Sequence, residues 1–392
     1  MRFIAVLVLL AGCPGTDDSA PVDGAPVGTD AGPPVTPSEH RLALGVVHSC
    51  YLDAEGAPYC WGADDANQLG DGDAKAASSV PTRVTVLGRA VEIAAGGGLL
   101  DGHTLVRVEN GDIRGWGANR IGQLGDGTTT AATETATTAI NMFKGKQLVT
   151  SFEHSCATGT NDRALCWGNN NHGQLDLPLE VIAALSPIGV LAEPTIQVGV
   201  GKGHACTLLA DGRVLCWGLN DLAQTGSAAL ADQRAPVLVQ GLVTSTAIGI
   251  GFVHSCALDP TGVRCWGDNA SGQLGNDTTM RSAVAVAVTG LAGPVAAVCG
   301  GLAHTCARLA DGTVQCWGAN LHGQLGDGTT TERHTPVAVA GLTGVAEVAC
   351  GAEYTCARLT AGGVRCWGVN DHGQLGDGST TERTSPVVVQ GL

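Results

Sequence analysis

Apolar side chains in this chain come in short runs, Val214-Leu215-Cys216-Trp217 or Val314-Gln315-Cys316-Trp317, each closed off by Gly, Asp, Asn or Thr. No segment sustains an apolar period of 3.6 residues, so the pattern predicts many short strands joined by tight turns, not helices. The runs recur. Trp-Gly stands at Trp61, Trp116, Trp167, Trp217, Trp266, Trp317 and Trp367, with successive gaps of 55, 51, 50, 49, 51 and 50 residues, which uses all seven tryptophans. Some ten residues before each lies His-Ser/Thr/Ala-Cys or a variant of it, as in His48-Ser49-Cys50 and His304-Thr305-Cys306. After it comes Gly-Gln-Leu-Gly-Asp-Gly, clearest at 122–127, 323–328 and 373–378, then a Pro-Val-x-Val strand and a Gly-Leu turn, as in 336–342. A unit of about four short strands repeated radially makes a propeller. The expected fold is therefore all-β: a seven-bladed β-propeller of about 50-residue four-stranded repeats spanning 41–392. Closure of the ring is expected to bring the first strand, 41–46, beside the last, 386–389.

Composition agrees and narrows the class. Glycine makes up 58 of 392 residues, charged residues 15% and aromatics 4%. The formal net charge of -15, with no Lys/Arg run, offers no track for a phosphate backbone, so nucleic acid is excluded as a partner. The N-terminus departs from the repeats. Met1-Arg2 precedes an apolar run, Phe3 to Leu10, of signal-peptide length and too short to span a bilayer. It ends in Leu10-Ala11-Gly12-Cys13, which resembles the lipobox of bacterial lipoproteins, so residues 1–12 are expected to be removed and Cys13 lipidated. Residues 13–40, poor in large apolar side chains, are expected to be a disordered tether. The expected location is the bacterial cell envelope, outer membrane or periplasmic face, held to the membrane by the lipid alone.

The cysteines follow the repeat. Cys206 and Cys216 are centred on Asp211, so the loop Ala210-Asp211-Gly212 sets them opposite each other on a hairpin. The same holds for Cys50 with Cys60 and Cys306 with Cys316, and the spacing pairs Cys156 with Cys166, Cys256 with Cys265 and Cys356 with Cys366. At a non-hydrogen-bonded antiparallel pair the Cα atoms approach to about 4.5 Å, which a disulfide can bridge. The second unit replaces both cysteines together, by Leu105 and Gly115. Metal binding is the competing use of His-x-Cys and Cys-Trp-Gly, but zinc sites show compact Cys-x-x-Cys or Cys/His spacing. No metal ligand is assigned. Cys299 and Cys350 sit outside the pairing, offset by one residue relative to Gly301 and Gly351; a bridge between blades and two buried thiols both fit.

The pattern Gly-x-x-His-Thr-x-Ala-Leu followed by Trp-Gly-x-Asn-x-x-Gly-Gln-Leu-Gly, as at 317–326, resembles the regulator-of-chromosome-condensation and alpha-tubulin-suppressor repeats over 41–392. The resemblance implies a seven-bladed propeller, in the Cys-Trp-Gly version common in exported bacterial proteins. It carries two functional precedents: guanine-nucleotide exchange on a small nuclear GTPase, and inhibition of β-lactamases by secreted bacterial members. The lipobox, the cysteines and the acidic charge argue against the first; the second fits the compartment as a precedent for protein binding.

The remaining repeated residues read as architecture. His48, His103, His154, His204, His254 and His304, with Tyr354 in the seventh unit, form one ring, expected to bond backbone between blades. Gln68, Gln123, Gln174, Gln224, Gln273, Gln324 and Gln374 recur in every unit and are expected to satisfy loop backbone. The segments Asp327 to Arg333 and Asp377 to Arg383 lack the alternating acidic ligands of a calcium loop and read as turns. Function belongs where units differ: 99–103, 128–146 and 176–194, expected to be variable loops on one rim. No nucleophile with its base, carboxylate pair or metal cluster breaks the repeat, so no catalytic residue and no cofactor is assigned. The expectation is a monomeric protein-binding scaffold. A carbohydrate-binding propeller and an envelope glycosidase or lyase are the alternatives.

Overall fold

The computed structural model describes residues 41–72, 76–130, 133–140, 144–178 and 181–392, with backbone alone for 133–140. Cys13, the leader and the tether lie outside them. The described chain forms seven four-stranded antiparallel sheets, and no helix is found among the described residues. Blades 1 to 7 span residues 42–83, 90–140, 145–189, 195–238, 247–287, 295–338 and 345–388. In each the strands follow chain order from the inside out. Leu44, Ala95, Thr150, Val200, Ile250, Gly300 and Cys350, one from each innermost strand, line a central channel cavity of about 80 Å³.

The outermost strands carry Pro81, Pro187, Pro236, Pro336 and Pro386. Proline cannot donate to a ladder, so an edge is where it is tolerated. The hairpin of second and third strands in each blade is the opposite case. In blade 6 Thr305 pairs with Trp317, Cys306 with Cys316 and Ala307 with Gln315. The tryptophan and both cysteines of that hairpin are wholly buried. All seven tryptophans are wholly buried, each packed against the neighbouring blade. The core is thus a ring of layers between blades, not one central cluster.

Two expectations need correcting. The first and last strands do not lie side by side: Leu42–Leu44 is innermost in blade 1 and Arg383–Val388 is outermost in blade 7. Closure exchanges no strand, because each blade is built from contiguous chain, and at the 7/1 seam Trp61 packs against blade 7 as the other tryptophans pack against their neighbours. Second, 128–146 and 176–194 are not free rim loops. They hold the outermost strands of blades 2 and 3, Thr133–Ile140 and Ala183–Gly189. Their unusual composition hid them: the first is largely Thr and Ala, without the Pro-Val-x-Val signature.

Candidate functional site

The repeated polar residues are consumed in holding blade to blade. At the 5/6 seam the backbone carbonyl of Gln273 accepts the indole N–H of Trp317 at 2.9 Å and the Thr305 hydroxyl at 2.8 Å. His254 Nε2 lies 2.8 Å from that hydroxyl. Since the hydroxyl proton goes to Gln273, the imidazole is the donor to the oxygen of Thr305. The side-chain Oε1 of Gln273 accepts the Ser271 N–H, which fixes the loop that presents the carbonyl. The same relay runs through His48, Thr104, Gln68 and Trp116, and through His304, Thr355, Gln324 and Trp367. The histidine partner is therefore a side-chain hydroxyl of the next blade, not backbone as the sequence suggested. The signal was present in the Ser or Thr that follows histidine, but a partner about one repeat away is invisible in one unit.

Two seams vary. At 7/1 Tyr354 replaces histidine: its phenol donates to the His48 carbonyl at 2.6 Å, and the single proton of the Ser49 hydroxyl is shared between the Gln374 carbonyl at 2.8 Å and the phenol oxygen at 3.0 Å. At 3/4, Ala205 stands where the hydroxyl should be. His154 is wholly buried and neither ring nitrogen makes a hydrogen bond of acceptable geometry, although the His204 carbonyl is near enough to favour a proton there. Burial holds the six histidines neutral, at about 3 for His48, His204 and His304 and about 4 for His103, His154 and His254.

The structure brings together the cysteines expected to pair, with Cα atoms 4.0 to 4.1 Å apart at Cys50–Cys60, Cys156–Cys166, Cys206–Cys216, Cys256–Cys265, Cys306–Cys316 and Cys356–Cys366. It also joins Cys299 to Cys350 across the 6/7 seam, Cα atoms 5.7 Å apart. Donor atoms of His304, Cys306 and Cys350 lie within 4.8 Å of one another, but both sulfurs are spent in disulfides with different partners. In the Asp327 turn, burial would raise the carboxyl. Hydrogen bonds from the Thr329 amide and hydroxyl and from Arg333 outweigh it and hold the group below its usual range. Asp377 is held the same way by Ser379 and Arg383.

What breaks the repeat gathers in the turns between the innermost and second strands, at one mouth of the channel. Blades 3 and 5 place Phe152 and Phe252 there, and their rings meet edge to face with centroids 5.0 Å apart, spanning the turn of blade 4. Lys202 in that turn is exposed, with its amide on the Phe252 carbonyl at 3.0 Å. Val46 and Leu302, both half-buried, occupy the same position in blades 1 and 6. Blade 2 has an enlarged turn with Leu99 39% and Leu100 63% exposed, held by Asp101 accepting from the Gly98 amide. Polar pairs stand beside the turns of blades 4 and 7, where the His172 ring lies against Gly203 and Glu353 sits in the turn itself. His172 bonds Asp232 at 3.0 Å, and His322 lies 2.6 Å from Glu382 and 3.9 Å from Glu353. An aromatic centre with polar pairs beside it is the anatomy of a protein-recognition surface. Sequence reasoning found the blade 2 turn but missed the phenylalanines, which stand a hundred residues apart in turns that look unremarkable singly.

Comparison with known proteins agrees with the architecture. Residues 89–392 match the RCC1-like domain, and residues 55–100 match the regulator of chromosome condensation (RCC1) repeat. The chain is similar to the ultraviolet-B receptor UVR8 of Arabidopsis thaliana, 28% identical over 310 residues, covering 76% of this chain and 69% of that protein. It is 28% identical over 255 residues to the human E3 ubiquitin-protein ligase HERC2, covering 60% of this chain but only 5% of the ligase. Among solved structures, human WBSCR16 superposes with a TM-score of 0.76 at 21% identity, covering 85% of this chain and 94% of that one. Prp20p of Saccharomyces cerevisiae gives 0.76 at 22% identity, covering 87% of each.

Proposed function

The chain belongs to the RCC1-like domain family, and from that premise we propose that it is a protein-binding propeller whose recognition surface is the channel mouth around Phe152 and Phe252. The carrying observation is the division of labour among residues. Groups shared by all blades are occupied in seams and turns, whereas the turns between innermost and second strands differ from blade to blade and place an aromatic pair at one mouth of the channel. Rings of this kind bury large area at little cost in side-chain freedom, which makes them effective anchors for a partner. Prp20p, which shares the fold, binds Gsp1p and histones. The acidic charge of this chain and the export signal read from its sequence point to a different partner, in an envelope compartment.

The buried carboxylates support binding over catalysis. Glu92 is held by Arg107 and the Leu148 amide, and Asp259 by Thr261 and Arg264. Carboxylates so engaged are occupied in holding the fold. The location completes the proposal: residues 1–12 direct export, Cys13 carries the lipid, residues 13–40 tether the propeller, and the paired cysteines are oxidised there.

An envelope pull-down compares the propeller with Phe152→Ser/Phe252→Ser and with Val388→Ser on an outermost strand. A protein retained by the parent and by Val388→Ser but lost by the double variant is expected. Equal retention by all three, or retention of polysaccharide alone, overturns the proposal.

A further inference from the structure

Of the seven disulfides among the described residues, six lie within a blade, and their twelve cysteines are wholly buried. Cys299–Cys350 differs in three respects. It joins two blades, both its cysteines are half-buried, and Cys350 lines the channel cavity.

The seam it crosses keeps the histidine relay but lacks a clasp present at other seams. At four seams a side chain near the outer end of the innermost strand clasps backbone of the next blade. Glu92 accepts from the Leu148 amide at 3.1 Å, Gln147 from Val198 at 2.9 Å, Gln197 from Ile248 at 2.8 Å, and Glu347 from Arg41 at 3.2 Å. Blade 6 has Ala297 in that register, which cannot clasp. Blade 5 has Ala247 in the same register, so 6/7 is one of the seams without the clasp, and among the described residues it alone is joined by a disulfide. Both cysteines also lead directly into the mouth: three residues after Cys299, the Leu302 amide bonds the Ala352 carbonyl at 2.9 Å, two residues after Cys350.

We propose that Cys299–Cys350 is a thiol-exchange site open to the channel, through which small thiols in the surroundings set the rigidity of the 6/7 seam and of the mouth beside it. Its effect on the mouth acquires functional meaning from the binding surface proposed above. A thiolate attacks the Sγ of Cys350, the cysteine of the pair that lines the cavity, forming a mixed disulfide and releasing Cys299 as a thiolate that takes a proton. A second thiolate attacks the small-molecule sulfur of the mixed disulfide. The small disulfide leaves, and Cys350 becomes a thiol. Two thiols are oxidised and one protein disulfide is reduced. The six intrablade bonds are shielded from the same attack because exchange requires an approach that burial denies.

The oxidised full chain is treated with 2-mercaptoethanol under native conditions, alkylated with iodoacetamide and mapped by peptide mass, with hydrogen exchange followed in parallel. Cys299 and Cys350 are expected to be alkylated at least about tenfold faster than the twelve others, and exchange at the Leu302 amide to rise by about tenfold or more. Cys299→Ser/Cys350→Ser should show the same faster exchange without any thiol. An intrablade pair reacting first, all fourteen disulfide-bonded cysteines reacting together, or an unchanged Leu302 amide overturns the proposal. Neither readout uses a partner, so failure of the binding assay and failure of this one remain distinguishable.

Discussion

Replacing Ala205 by serine should make the propeller more stable, although it puts a polar group into a buried seam. At the 4/5 seam a serine hydroxyl meets the histidine and donates to the glutamine carbonyl, at 3.0 Å between His204 and Ser255 and 3.2 Å between Ser255 and Gln224 O. At 3/4, His154 has no such partner and Gln174 O receives only the Trp217 indole. A buried nitrogen without a partner costs about 1–3 kcal/mol, and serine would satisfy it while adding one oxygen. Ordering the new side chain takes back a fraction of that, leaving a net gain of about 1–2 kcal/mol. A melting temperature is a blunt readout here: at about 2.1 cal/mol/K per residue, 1 kcal/mol moves a domain of this size by roughly 1.5 °C. Urea unfolding with disulfides intact, fitted globally for parent and variant, is the better assay. A cycle with His154→Leu isolates the pair, because the gain should vanish once the imidazole is gone. The reasoning is refuted if Ala205→Ser is neutral or destabilising, or if it gains as much in the His154→Leu background.

Other outcomes follow from the same geometry. Thr305→Val keeps the shape but strands His254 Nε2 and should cost about 1–3 kcal/mol by urea unfolding. Gly326 has φ +70 and a Cβ there would lie 2.7 Å from the Trp367 indole nitrogen, so Gly326→Ala should cost more than about 2 kcal/mol, read as a lower urea midpoint. Cys299→Ser/Cys350→Ser opens a link of sequence separation 51 and should cost up to about 4 kcal/mol in the chain-entropy account, against about 3 for an intrablade pair. For pH, the histidines fold with values of about 3 to 4, below the roughly 6.5 of an unfolded imidazole. Between those limits the unfolded chain binds protons that the native chain refuses, so stability is full above pH ~6.5 and falls as pH drops toward 4. The urea midpoint should fall across that window, and a flat profile there would contradict the buried, neutral ring.

The blades and the intrablade cysteine pairs were legible because both depend on local spacing: Trp-Gly marks a strand end, and a hairpin loop fixes its own register. Contacts between units were less legible. The hydroxyl after histidine recurs through most of the repeats, but its partner belongs to the neighbouring unit, and repetition makes every unit look self-sufficient. The Cys299–Cys350 bridge had left a usable trace. Offset by one residue in the repeat, the two side chains leave their strands on opposite faces, which is what a link from one blade to the next requires. The phenylalanine pair left none, because turn residues follow no period and only the radial stacking of blades 3, 4 and 5 brings 152 to 252.

The account rests most heavily on the channel mouth as the protein-binding surface, and site-specific photocrosslinking in intact cells tests it directly. A photoreactive aromatic replaces Phe152 in the full chain, with the same group at Val388 on the outer edge of blade 7 as the comparison. The account predicts one defined protein adduct from position 152 and none from position 388. Equal adducts from both positions, or none from the mouth, would contradict it.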